Sequence, residues 1–144
     1  MNLPELIKRT RRYVRDTTSK RFTDEEISEY INEGIDRLRS YPVLRDMPYI
    51  DMDDDIYYLP DEYHYMLALY ASSKCFAVDL DFYQEVQKRN EFENLFDDLI
   101  SKIESGYIDI LDMTMNPIDY TYPVDYITDE YFNTTSTDED SIIG

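Results

Sequence analysis

The sequence predicts a mainly α chain: four helices, a short β-hairpin or extended loop between helices two and three, and an extended C-terminal arm. Three observations carry this expectation. Apolar residues recur at three- and four-residue spacing in four blocks between residues 3 and 105. The second block opens with a two-sided capping signal. The periodicity breaks around Pro42 to Pro60 and again after Gly106.

The first helix is expected over residues 3–15. Pro4 suits a first helical position, where its missing N–H costs nothing. Leu3, Leu6, Ile7, Tyr13 and Val14 form an apolar face, and Lys8, Arg11, Arg12 and Arg15 fall largely elsewhere. Helix two starts at Thr23, which forms a capping box with Glu26 while Phe22 and Ile27 occupy the staple positions around it. Ile27, Tyr30, Ile31, Ile35 and Leu38 continue the stripe, and Pro42 ends the segment. Gly34 lies on the same stripe; a glycine there weakens the helix by roughly 1 kcal/mol relative to alanine, so close approach of another helix is its expected use.

Between residues 41 and 60, Pro48-Tyr49-Ile50-Asp51-Met52 and Ile56-Tyr57-Tyr58-Leu59 flank Asp53-Asp54-Asp55, the pattern of a hairpin or extended loop. Helix three, residues 61–78, is apolar all round at Tyr65-Met66-Leu67-Ala68-Leu69-Tyr70-Ala71 and should be the central buried helix. Helix four, residues 82–105, repeats Phe92, Leu95, Phe96, Leu99, Ile100 and Ile103, with Gly106 as its C-terminal cap. Two regions follow: a helical domain, 1–106, and an acidic, tyrosine-rich arm, 107–144. Prolines and β-branched residues argue against a long helix in the arm, which is expected to gain order on a partner.

Composition narrows the function classes. The 144 residues carry a net charge of −18, which opposes nonspecific affinity for DNA or anionic membranes. The charge is uneven: 7 of the 14 basic residues lie in residues 8–21, and none follows Lys102. A basic front and an acidic body permit head-to-tail attraction between copies. A single cysteine forms no internal disulfide, the first residues form no secretory signal, and no apolar run spans a bilayer. A soluble chain made in the cytoplasm is expected.

Catalysis has little to work with. His64, the one histidine, allows neither a triad nor an imidazole metal cluster, and it reads as a structural residue beside Tyr63 and Tyr65. Cys75 reads as a small buried thiol. With 3 glycines, no phosphate-binding loop or dinucleotide fingerprint can be built. Asp51, Asp53, Asp55 and Glu62 imitate EF-hand positions, but Ile56 stands where glycine is needed and Pro60 interrupts the loop, so a solvated tip is the preferred reading. The sequon at Asn133 has no meaning without secretion. The sequence therefore predicts a non-enzyme without cofactor or metal. Lys8, Arg9, Arg11, Arg12 and Arg15 could contact phosphates or simply face solvent, but the chain's own acidic surface makes subunit contact the preferred reading. Tyr107, Tyr120, Tyr122, Tyr126, Tyr131 and Phe132 are the candidate arm contacts to neighbouring subunits.

The order of elements resembles a known family. A short first helix, the start Arg21-Phe22-Thr23-Asp24-Glu25-Glu26-Ile27, the core Tyr30-Ile31-Asn32-Glu33-Gly34-Ile35, and Tyr58-Leu59-Pro60-Asp61-Glu62-Tyr63 before an Ala- and Tyr-rich helix are similar to head–tail adaptor (connector) proteins of tailed bacteriophages. The similarity covers residues 3–105. It implies an adaptor-type helical bundle in the virion, at the head–tail interface. Such a protein would form a homo-oligomeric ring, a dodecamer matching the portal, that extends the DNA channel and docks tail or further adaptor proteins. Genomic DNA would pass without specific binding, repelled by carboxylates. The alternative is an acidic DNA mimic that inhibits a nucleic-acid-binding protein; the charge favours it and the basic first helix opposes it.

Overall fold

The computed structural model describes residues 1–18, 20–51, 55–56 and 58–110. Its elements are α1 (Leu3–Val14), α2 (Asp24–Leu38), α3 (Met66–Val78) and α4 (Phe82–Glu104), with short 3-10 turns at Pro42–Leu44 and Asp61–Tyr63. The mainly helical class is therefore as expected. From residue 111 onward the arm lies outside the described residues, and with it Tyr120, Tyr122, Tyr126, Tyr131 and Phe132.

Both of the first two helices begin with reciprocal caps. Thr23 Oγ1 accepts from the Glu26 N–H at 3.0 Å, and the Glu26 carboxylate accepts from the Thr23 N–H at 2.8 Å. Asn2 and Glu5 make the same exchange at α1, at 3.1 and 2.8 Å, a box that the proline at position 4 had overshadowed in the sequence. α1 ends when Arg15 turns left-handed at φ 59°, letting the chain reverse toward α2.

α3 packs against each of the other three helices. Met66, Leu67, Ala68, Leu69, Ala71 and Cys75 are all buried, so the helix that is apolar all round occupies the centre. Its buried Ser72 and Ser73 hydroxyls donate within the helix, to the Ala68 and Tyr70 carbonyls at 2.7 and 2.6 Å, so no polar group is orphaned there. Gly34 meets α3 closely: a Cβ built on it would lie 3.1 Å from Leu67 Cδ2 and 3.3 Å from Tyr70 Cβ. α4 contributes Phe92, Phe96, Leu99 and Ile103. Arg37 of α2 ties it down with a two-pronged bond to Glu93, at 2.9 and 2.7 Å, while stacking 4.9 Å from the Phe96 ring centre.

The connection over residues 41–60 carries no strand among the described residues; residues 52–54 and 57, which include the expected hairpin tip, lie outside them. Instead Val43, Leu44, Met47, Ile50, Ile56, Tyr58 and Leu59 plug the core. Ile50 finds its backbone partner in a side chain: its N–H donates to Asn32 Oδ1 at 2.8 Å, and Asn32 Nδ2 donates to its carbonyl at 3.3 Å. Asp55 forms an isolated antiparallel bridge with Asn2. Helix three also starts later than its composition predicts. Residues 61–63 make a 3-10 turn that sends Tyr63 inward, where its hydroxyl donates to Asp98 of α4 at 2.5 Å. That bond, and then Lys102, hold the Asp98 carboxyl below the usual carboxylate range.

Two chain reversals position the surfaces described next. Between α3 and α4, Leu80 adopts φ 61°, a left-handed backbone that a leucine rarely takes. After α4, Gly106 (φ 85°) completes a Schellman cap in which the Tyr107 N–H reaches the Lys102 carbonyl at 2.9 Å. The chain does not leave the fold there: Ile108 packs against the core and Ile110 is fully buried, so the folded body extends past the expected boundary at residue 106.

Candidate assembly surface

The five basic residues of α1 and its C-cap divide into three kinds of environment. Lys8, Arg12 and Arg15 are exposed, fall on one stripe at i, i+4 and i+7, and make no ion pair among the described residues. Arg9 is half-buried; its guanidinium carbon lies 5.9 Å from the Tyr65 ring centre and its Nε has no hydrogen-bond partner among the described residues. Arg11 is not a surface residue at all. Only 6% of it is exposed, and its guanidinium donates to Asp16 at 3.0 Å, to the Phe22 carbonyl at 2.9 Å and to Asp24 at 2.5 Å. The grouping of Arg11 with the contact residues is thereby corrected: it clamps the α1–α2 turn from within.

Asp16 is the other half of the clamp, and the sequence pattern did not single it out. Its carboxylate accepts from the backbone N–H groups of Lys20, Arg21 and Phe22 at 3.1, 3.2 and 3.1 Å. Burial pushes its pKa up, but these N–H groups and the Arg11 charge outweigh burial and hold it below the ordinary aspartate value. The available signal was an aspartate just after the helix, followed by Thr17 and Thr18, the composition of a tight turn.

α2 presents the opposite sign. Glu25, Glu29 and Asp36 are exposed on one stripe. Beside it an open groove of about 850 Å³ runs between α1 and α2, with Leu3, Ile7 and Ile50 among its lining and Glu25, Glu29 and Asp51 at its edge. Tyr49 covers part of this face, its hydroxyl donating to Asp36 at 2.6 Å. Tyr107, the one candidate arm residue inside the described region, is 84% exposed and makes its backbone bond to the α4 cap.

The other candidates for chemistry are occupied structurally. His64 is buried, with Nε2 2.7 Å from the Leu59 carbonyl and Nδ1 2.7 Å from the Met1 amino nitrogen. Burial pushes the Cys75 thiol up to about 12, far from a nucleophile's range. Among the described residues no three His, Cys, Asp or Glu side chains converge as a metal site. No helix among the described residues is long and apolar enough to cross a membrane. No protein-family model, no curated protein and no solved structure matches the chain.

Proposed function

We propose that the chain is a structural subunit that closes into a ring, acting as a head–tail adaptor between portal and tail in a phage virion. One observation supports the self-assembly: a basic stripe on α1 and its C-cap, Lys8-Arg12-Arg15, with no ion pair among the described residues, and an acidic stripe on α2, Glu25-Glu29-Asp36, lie at different places on one body. Complementary patches at different places on one subunit make a heterologous contact, which repeats until it closes. Portal docking, tail docking and passage of the genome rest on the family resemblance of residues 3–105. The role requires no active site, and a carboxylate-rich lumen would repel DNA phosphates.

The test is native mass, alone and with portal protein. Wild-type chain is expected to sediment in a ring and to join portal-sized particles. The triple reversal Lys8→Glu, Arg12→Glu, Arg15→Glu leaves the Arg11 clamp intact, so it should fold normally and weaken assembly by about tenfold or more. Raising salt to about 0.5 M should weaken wild-type assembly in the same direction, because exposed charges are screened. A monomer that ignores portal protein and instead occupies a DNA-binding enzyme would establish the acidic-mimic reading.

A further inference from the structure

The turn between α3 and α4 exposes an apolar patch that the core does not use. Val78, Leu80, Phe82, Tyr83 and Val86 are 58, 71, 63, 71 and 38% exposed. Single exposed apolar residues are ordinary, but five within nine positions concentrate exposed apolar side chains at one turn, the composition that marks an interaction site. Phe82, Tyr83 and Val86 share one side of the first turns of α4. Leu80 adds a second oddity, since its left-handed backbone would suit Gly or Asn and gains nothing from a leucine side chain in solvent.

The patch is held firmly. The Leu80 N–H donates to the Ala77 carbonyl and the Asp81 N–H to the Phe76 carbonyl, at 3.1 and 3.0 Å. Asp81 caps α4 through the Gln84 N–H at 3.3 Å. The acidic residues of the tip are engaged, Asp79 with Arg21 and Glu85 with Arg89. Beside it, on the loop that Arg21 joins to the turn, Arg15 and Lys20 are exposed and make no ion pair among the described residues.

We infer that this patch is the docking site for the arm of a second copy, with the stretch around Tyr120–Phe132 laid across it. Charge complementarity favours that occupant. Residues 111–144 contain 8 carboxylates and no lysine or arginine, interspersed with Tyr120, Tyr122, Tyr126, Tyr131 and Phe132. Rings can enter the patch while the carboxylates meet Arg15 and Lys20 at its rim. The ring reading favours a second copy over the same one. Tyr107 and Ile108 bond to the C-terminal turn of α4, and the patch sits at the other end of that 23-residue helix, about 33 Å away at 1.5 Å per residue, a span that about ten extended residues of either copy's arm cover. Donor and acceptor at opposite ends of one body link copies head to tail, the relation a closed ring needs. The inference builds on the ring reading but names a contact that reading lacks.

Full-length chains carrying Gln87→Cys, beside the patch, are mixed with full-length chains carrying Thr128→Cys, in the arm, and treated with a bismaleimide. Covalent heterodimers are expected well above those from a Ser101→Cys control at the far end of α4. Separately, Leu80→Asn removes the side chain while suiting the backbone. It should leave the melting temperature unchanged or higher and weaken self-association by about tenfold or more. No crosslink above the control, or a crosslink that forms only within a chain carrying both cysteines, overturns the proposal. So does a Leu80→Asn chain that associates as tightly as wild type. If rings persist in those cases, the ring reading stands and only the arm contact fails. Crosslinks and Leu80 sensitivity without closed rings would overturn the ring and keep the contact.

Discussion

Arg11→Ala should destabilise the fold by about 3–5 kcal/mol, the range for removing one partner of a buried ion pair. The side chain is 7% exposed and Asp16 2%, so water cannot replace what the guanidinium supplies. Asp24 is 74% exposed, and its limb of the clamp contributes little; the loss comes from Asp16 and from the orphaned Phe22 carbonyl. Arg11→Lys should recover only part, because an ammonium carries its donors on one atom, while the acceptors are divided between the two guanidinium nitrogens Nη1 and Nη2. Urea denaturation followed by circular dichroism gives the numbers, and a loss under about 1 kcal/mol would return Arg11 to the surface class. The pH dependence has a definite sign. The folded-state pKa of Asp16 is depressed, so its contribution is present above the unfolded value and disappears as pH falls through the folded one. Wild-type stability should therefore decline below about pH 4.

Leu67→Ala should cost about 2–5 kcal/mol, since the side chain is fully buried at the centre of the central helix. Val86→Ala, at a residue 38% exposed, should stay within about 0.5 kcal/mol and serves as the control. The void left by Leu67 opens toward Gly34, whose missing Cβ position lies 3.1 Å from the deleted Cδ2. Gly34→Ala should therefore be more crowded in the wild-type background, against both Leu67 and Tyr70, than in the Leu67→Ala one, where only the Tyr70 contacts at 3.3 Å remain. A double-mutant cycle should show favourable coupling of about 0.5–3 kcal/mol. Additive effects would mean that the two helices do not meet at Gly34 and Leu67.

How much of this was legible follows the range of the interactions. Thr23 and Glu26 signal α2 because a capping box is written in four consecutive residues. The all-apolar run at 65–71 signals burial for the same local reason. Gly34 was legible as a contact but not with its partners, Leu67 and Tyr70, more than thirty positions away. The connection over residues 41–60 reads as a hairpin or extended loop because helical periodicity stops there and two apolar-rich runs flank Asp53-Asp54-Asp55. Its partners, Asn32 and Asn2, come from remote segments, and a local pattern cannot reveal that. Asp61-Glu62-Tyr63 looked like a first helical turn, yet Tyr63 must point at Asp98, and the 3-10 turn achieves it. Arg11 was placed with its basic neighbours because helical spacing gives an angle, not a burial. Only the chain reversal at Asp16 brings the acceptors over it. The apolar tip at Leu80 and Phe82 is not legible, since exposed and buried apolar residues look alike in a sequence.

The depth of Cys75 has a practical consequence. It is the chain's single cysteine, fully buried, with a thiol pushed up to about 12, so almost none of it is thiolate at neutral pH. A maleimide or a disulfide reagent should find no target in the folded chain and one target after denaturation. Any cysteine introduced at the surface then becomes the sole addressable position. Fluorophores, spin labels or crosslinkers can be placed one at a time, without first removing a residue on which the central helix depends.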